Sequence, residues 1–64
     1  LNIPIGILPI SLRSYTILRK AQIFTVAQLI NLSKTDLLNF KNFGPKSLFE
    51  IEQCLINLGL ALKN

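Results

Sequence analysis

Four helix-start signals are crowded into the middle of this sequence, at Ser11, Thr25, Ser33 and Pro45. Each stands just ahead of apolar residues at helical spacing, so the helices between them must be short. Ser11 is a good cap for a run in which Leu12, Tyr15 and Leu18 recur, through about Ala21. Thr25 opens a second short helix with Val26, Leu29 and Ile30 inward. Ser33-Lys34-Thr35-Asp36 resembles a capping box, with Asp where Glu is commoner. It opens a third helix through Leu37 and Leu38 to about Phe40. Pro45 suits a first helical position, where a missing N–H costs little. Behind it Leu48, Ile51, Leu55 and Leu58 form an apolar stripe, and Gly59 fits the left-handed position that ends a helix.

Residues 1–10 read differently. Pro4, Gly6 and Pro9 oppose helix, so the segment is expected to be an extended arm. Alternating Ile3, Ile5 and Ile7 would lay it across the core. The expectation is one all-α domain over residues 1–64, a compact bundle of four short helices in residues 11–64 behind that arm. The turn between the third and fourth helices gives it a helix–hairpin–helix corner.

A sequence of 64 residues buries only roughly 60% of its unfolded surface, so it depends on its core. Half of its residues are apolar, enough for one core. Cys54 is the lone cysteine, which excludes an internal disulfide and fits a reducing compartment. With no histidine, one Cys and three acids do not make a metal site, and no cofactor is expected. Catalysis is not expected either. Glu50 and Glu52, two apart on one helix, point to different faces, and Cys54 has no histidine to activate it. The apolar stretch from Ile3 to Ile10 is too short for a bilayer, is broken by Pro and Gly, and lacks a basic leader, so no membrane role is expected. The sequence starts at Leu1 and contains no Met, as expected of a piece cut or trimmed from a longer polypeptide. The net charge of +4 permits an anionic partner.

The stretch Lys41-Asn42-Phe43-Gly44-Pro45-Lys46-Ser47 is the place to look for one. The turn needs a residue with positive φ, and either Gly44 or Asn42 can supply it. Phe43 between them would plug the core. The amide groups of Gly44, Lys46 and Ser47 would then face outward at a helix N-terminus, which attracts anions. Lys46 adds a charge and Ser47 a hydroxyl donor. On the first helix Arg13, Thr16 and Ile17 share a face. Arg13 beside Lys46 would complete a basic patch.

ISLRSYTILRKAQIFTVAQL, then DLLNFKNFGPKSLFEI, then LGLAL, in that order and spacing, resembles the C-terminal domain of the bacterial and plastid RNA polymerase alpha subunit. The resemblance runs from about Pro4 to Leu62. KAQI and LLNFKNFG look most like the cyanobacterial and plastid branch. The load of Ile, Leu, Asn and Phe, which suggests AT-rich coding sequence, leans to a plastid stroma rather than a bacterial cytoplasm. The resemblance implies a domain tethered by a linker to the polymerase subunits. Such a domain binds AT-rich upstream promoter DNA through the minor groove and touches activators and the sigma factor. By position it implies that Arg13 enters the minor groove and that Gly44, Lys46 and Ser47 contact phosphate, with Asn42 in the same loop. It also implies that Glu50 helps position the basic side chains.

This sequence departs from the family pattern in three places. Thr16 stands where Asn is usual, which shortens its reach into the groove. Ile17 stands where Cys is common. The segment GILPISL carries no acids where many relatives have the two or three that face sigma, and their absence weakens the case for that contact. Two other readings compete. A helix–hairpin–helix module of a repair or ligase protein would bind phosphates with no preference for AT-rich DNA. A protein-interaction domain that has lost DNA binding would fit the missing acids and Thr16.

Overall fold

A computed structural model describes residues 3–63, and in it all four helix starts are used. The helices are α1 (Leu12–Lys20), α2 (Val26–Leu29), α3 (Lys34–Leu38) and α4 (Pro45–Asn57). Among the described residues there is no strand, so the protein is all-α as its patterning predicts. The caps explain the starts. Ser11 accepts a hydrogen bond from the Ser14 N–H at 3.2 Å. Ser33 and Asp36 close the expected capping box, each side chain accepting from the other's backbone N–H at 3.1 and 3.0 Å. Thr25 and Gln28 close a second such box, which the sequence reading passed over. A cap of this kind contributes about 1 kcal/mol.

At the far end of α4, Gly59 takes φ +74° as expected. Its N–H reaches the carbonyl of Ile56 at 2.9 Å and the Leu60 N–H reaches that of Leu55 at 2.8 Å, the pair of hydrogen bonds that closes a helix on a left-handed glycine. Ile51 and Leu55 of α4 are fully buried against Leu18, Val26, Leu29 and Leu37 from the other three helices, with Phe43 plugged in beneath the loop. A Lys34–Glu52 ion pair at 3.1 Å joins α3 to α4 on the surface.

Three expectations need correction. The arm is not extended throughout, because Ile5–Ile7 form a 3-10 turn in which the Leu8 N–H bonds the Ile5 carbonyl at 3.1 Å. Ile5 is buried but the turn swings Ile7 outward, leaving it 71% exposed. The arm is clipped to the approach to α2 by Ile5 N–H to Phe24 O at 3.0 Å and Val26 N–H to Ile3 O at 2.8 Å. Secondly, Leu12 is 78% exposed, whereas Leu18 is buried and Tyr15 packs against the core as expected, with Ser14 buried beside them. Thirdly, Leu38 and Leu58, at the last positions of their stripes, stay exposed where the backbone leaves the helix.

Candidate functional site

The loop between α3 and α4 turns at Asn42, which has φ +66°. Gly44 is extended, at φ −110° and ψ −177°. Of the two residues able to take positive φ, the turn uses Asn42, whose short polar side chain tolerates that region. Gly44 is then the residue that caps α4 without a side chain, and a Cβ built on it meets no protein atom within 4 Å. α1, α2 and α3 each begin under a Ser or Thr hydroxyl, whereas α4 begins with no side-chain cap. Among the described residues the amide groups of Lys46 and Ser47 have no acceptor. Donors and the positive end of a long helix are therefore presented together.

These donors open into a cleft of about 790 Å³ whose walls include Arg13, Asn42, Gly44, Lys46, Ser47 and Glu50. Arg13 is exposed, one residue inside the start of α1, and Lys46 is exposed at the start of α4. Both line the same cleft, although 33 positions separate them in sequence. Ser47 is only 6% exposed and lines the cleft. Thr16 lies on the other side of Arg13, in an adjoining groove of about 650 Å³ that it shares with Ile17, Lys20, Phe40 and Lys41. Arg13, Phe40 and Asn42 belong to both depressions and form the ridge between them.

Glu50 touches neither basic side chain by an ion pair. Its Oε1 accepts from the Ser11 N–H at 3.2 Å and from the Ser14 hydroxyl at 2.9 Å. The Ser11 amide, then the Ser14 hydroxyl, hold its carboxyl below the usual range, with a smaller push from Lys46. Glu50 thus locks the N-terminus of α1 to the second turn of α4 and fixes where Arg13 stands relative to Lys46. Ser14, fully buried, is the link that the sequence reading missed. Its signal was a second serine three residues after the cap. Lys20 and Lys41 were missed too. Lys20 is seven residues after Arg13, on the same face of α1, and Lys41 immediately precedes Asn42. The arrangement holds no carboxylate pair, no cluster able to bind a metal among the described residues, and a single buried thiol that burial pushes up in pKa. Backbone donors, a helix N-terminus and two cationic side chains facing one cleft are chemistry suited to an anion.

The family model for the C-terminal domain of the bacterial RNA polymerase alpha subunit matches residues 1–57. DNA-directed RNA polymerase subunit alpha of Clavibacter sepedonicus is 45% identical over 64 residues, covering 100% of this sequence and 19% of the relative. The subunit of the same name from Saccharopolyspora erythraea is 44% identical over 61 residues, covering 95% of this sequence and 17% of the relative. That from Bifidobacterium adolescentis is 44% identical over 63 residues, 98% and 19%. The sequence therefore spans about a fifth of the length of these relatives.

Proposed function

The protein belongs to the family of the C-terminal domain of the bacterial RNA polymerase alpha subunit, and from that premise we propose that it is a non-catalytic DNA-contacting module tethered to a polymerase. It binds AT-rich DNA upstream of promoters. The observation that carries this reading is that Arg13 and Lys46 line one cleft with the uncapped start of α4. A-tracts have a narrow minor groove of enhanced negative potential, which favours an inserted arginine. Lys46 and the amides of Gly44, Lys46 and Ser47 hold phosphate and orient the module without reading bases. In this reading α3, the Asn42 loop and α4 act as a helix–hairpin–helix corner, and Glu50 acts through the start of α1.

A module with so few contacts binds in roughly the non-specific range of 10⁻⁴ to 10⁻⁶ M. A linker to the other polymerase subunits raises its effective concentration to about millimolar, which makes weak binding sufficient. Localisation follows the polymerase, in a bacterial cytoplasm or a plastid stroma. The named relatives are bacterial, and the plastid alternative rests on the KAQI and LLNFKNFG phrases.

A second role, docking of activators, is favoured by Phe49 and Ile56. They lie seven residues apart on one face of α4 and are each 61% exposed. Contact with sigma is left out of the proposal, since the surface of the arm is apolar at Ile7 and carries no acid. A titration of an A-tract duplex against a GC-rich duplex tests the reading, because a repair-type corner would bind both equally and a protein-interaction domain neither.

A further inference from the structure

The groove on the far side of Arg13 has a composition of its own. Arg13, Lys20 and Lys41 line it together with the half-buried Ile17 and Phe40 and the exposed Ala21. No acid lines it. All three acids of the sequence are engaged elsewhere: Glu50 with Ser11 and Ser14, Asp36 with Ser33, and Glu52 with Lys34. Neither Lys20 nor Lys41 makes an ion pair among the described residues, and both are exposed. Apart from Arg19, which donates to the Tyr15 hydroxyl and lies over the Tyr15 and Phe24 rings, the cations fall into two groups. Arg13, Lys20, Lys41 and Lys46 surround the two depressions with Glu50 as the one carboxylate. Lys34 and Lys63 lie at another depression, where Glu52 pairs with Lys34 and Asp36 feels Lys63.

Resting on the DNA-binding reading above, we propose that Lys20 and Lys41 hold a second stretch of the DNA sugar-phosphate backbone, so that the interface extends through this groove beyond Arg13. Unpaired cations beside apolar side chains match phosphates alternating with deoxyribose. Arg13 and Lys20 are seven residues apart on α1, a span of roughly 10.5 Å along its axis. That equals about three base-pair steps of 3.4 Å measured along the DNA helix axis. Lys41, across the groove, closes on the same stretch. Neither lysine reads sequence; both add salt-sensitive affinity.

The test compares two double variants of this protein, Lys20→Gln/Lys41→Gln and Lys34→Gln/Lys63→Gln, which lose the same net charge from different places. Each is titrated with an A-tract and a GC-rich duplex over a range of salt, and far-UV melts confirm folding, since Lys20 also sits in the last turn of α1. In the groove variant the slope of log K against log salt should fall by about two units on both duplexes, with the A-tract preference kept. The Lys34/Lys63 variant should keep the wild-type slope. Equal slopes for the two double variants, or an unchanged slope in the groove variant, overturn the extension. If Arg13→Ala and Lys46→Ala still weaken binding in that event, the DNA reading stands without it. If the wild-type protein binds neither duplex, both fall together.

Discussion

The Ser14 hydroxyl donates to Glu50 Oε1 at 2.9 Å, and through this bond the start of α1 is fastened to α4. The bond is local to neither helix, as 36 positions separate its partners. Ser14 is fully buried, and its hydroxyl also receives the Ser11 hydroxyl at 3.2 Å. Ser14→Ala should cost about 1 kcal/mol, the net worth of a typical hydrogen bond. In a domain of this size that lowers the melting temperature by about 4–8 °C. Glu50→Ala should cost more, because it strips the Ser11 N–H and the Ser14 hydroxyl of one acceptor together. Thermal melts check both, and a Glu50→Ala protein as stable as wild type would show that the two helices need no such tie.

The same bond predicts how the fold responds to acid. Hydrogen bonds from Ser11 and Ser14 lower the pKa of Glu50 from 4.5, and those from Ser33 lower that of Asp36 from 3.8. Both folded pKa values lie below the unfolded ones, so their stabilisation is fully present above the unfolded values. It is lost as pH falls through the folded values. The melting temperature should be flat above about pH 5 and decline below it. Glu50→Gln keeps an acceptor oxygen for Ser11 and Ser14 but removes the titration, so its acid decline should be shallower. Superimposable acid limbs for the two proteins would count against this assignment.

Asn42 and Gly44 should respond to substitution in opposite ways. Asn42 has φ +66°, where a β-branched residue is strained, so Asn42→Val should lose about 1–2 kcal/mol and Asn42→Gly should not. Gly44 is extended with open space at its Cβ, so Gly44→Ala meets no clash, and the poorer capping by Ala offsets its chain-entropy gain to leave stability within about 1 kcal/mol of wild type. The added methyl still faces the cleft that holds the amides of α4. Gly44→Ala should therefore weaken DNA binding by more than its small change in stability explains. A variant with both properties unchanged would mean that no phosphate comes close to that glycine.

What could be read from sequence divides along the range of the interaction. Caps are local, so Ser11, Thr25, Ser33 and Pro45 marked the helix starts correctly. The Thr25–Gln28 box was equally legible, since Gln serves at the third position as Glu does. The rotational phase of a short helix is not local. Of the stripe Leu12, Tyr15 and Leu18, Leu18 is buried and Tyr15 packs against the core, but Leu12, the first residue of α1, faces out. Of the arm's alternating isoleucines Ile5 is buried and Ile3 packs against the core, and only Ile7 departs, swung out by the 3-10 turn. Phe43 was legible as a plug because it is the aromatic residue between two turn-formers. That Arg13 and Lys46 line one cleft follows from no spacing: the sequence offered their pairing only as a condition, and the resemblance added a role for each.

Arg13 and Lys46 line one cleft but should fail differently when removed. Arg13 stands on the ridge between the two depressions, where a protruding guanidinium can enter a narrow groove. Arg13→Ala should abolish the preference for an A-tract duplex, because it deletes the group that senses groove width. Lys46 stands at the uncapped start of α4. Lys46→Ala should weaken binding to A-tract and GC-rich duplexes about equally and reduce the salt slope by about one unit. Neither substitution should change stability by more than about 0.5 kcal/mol, as both side chains are exposed. The comparison needs only fluorescence titrations of the three proteins on two duplexes at several salt concentrations. If Arg13→Ala retains the A-tract preference, the minor-groove role passes to another residue. If the wild type has no such preference, the cleft is a phosphate site alone and the tethered promoter reading gives way to the helix–hairpin–helix alternative.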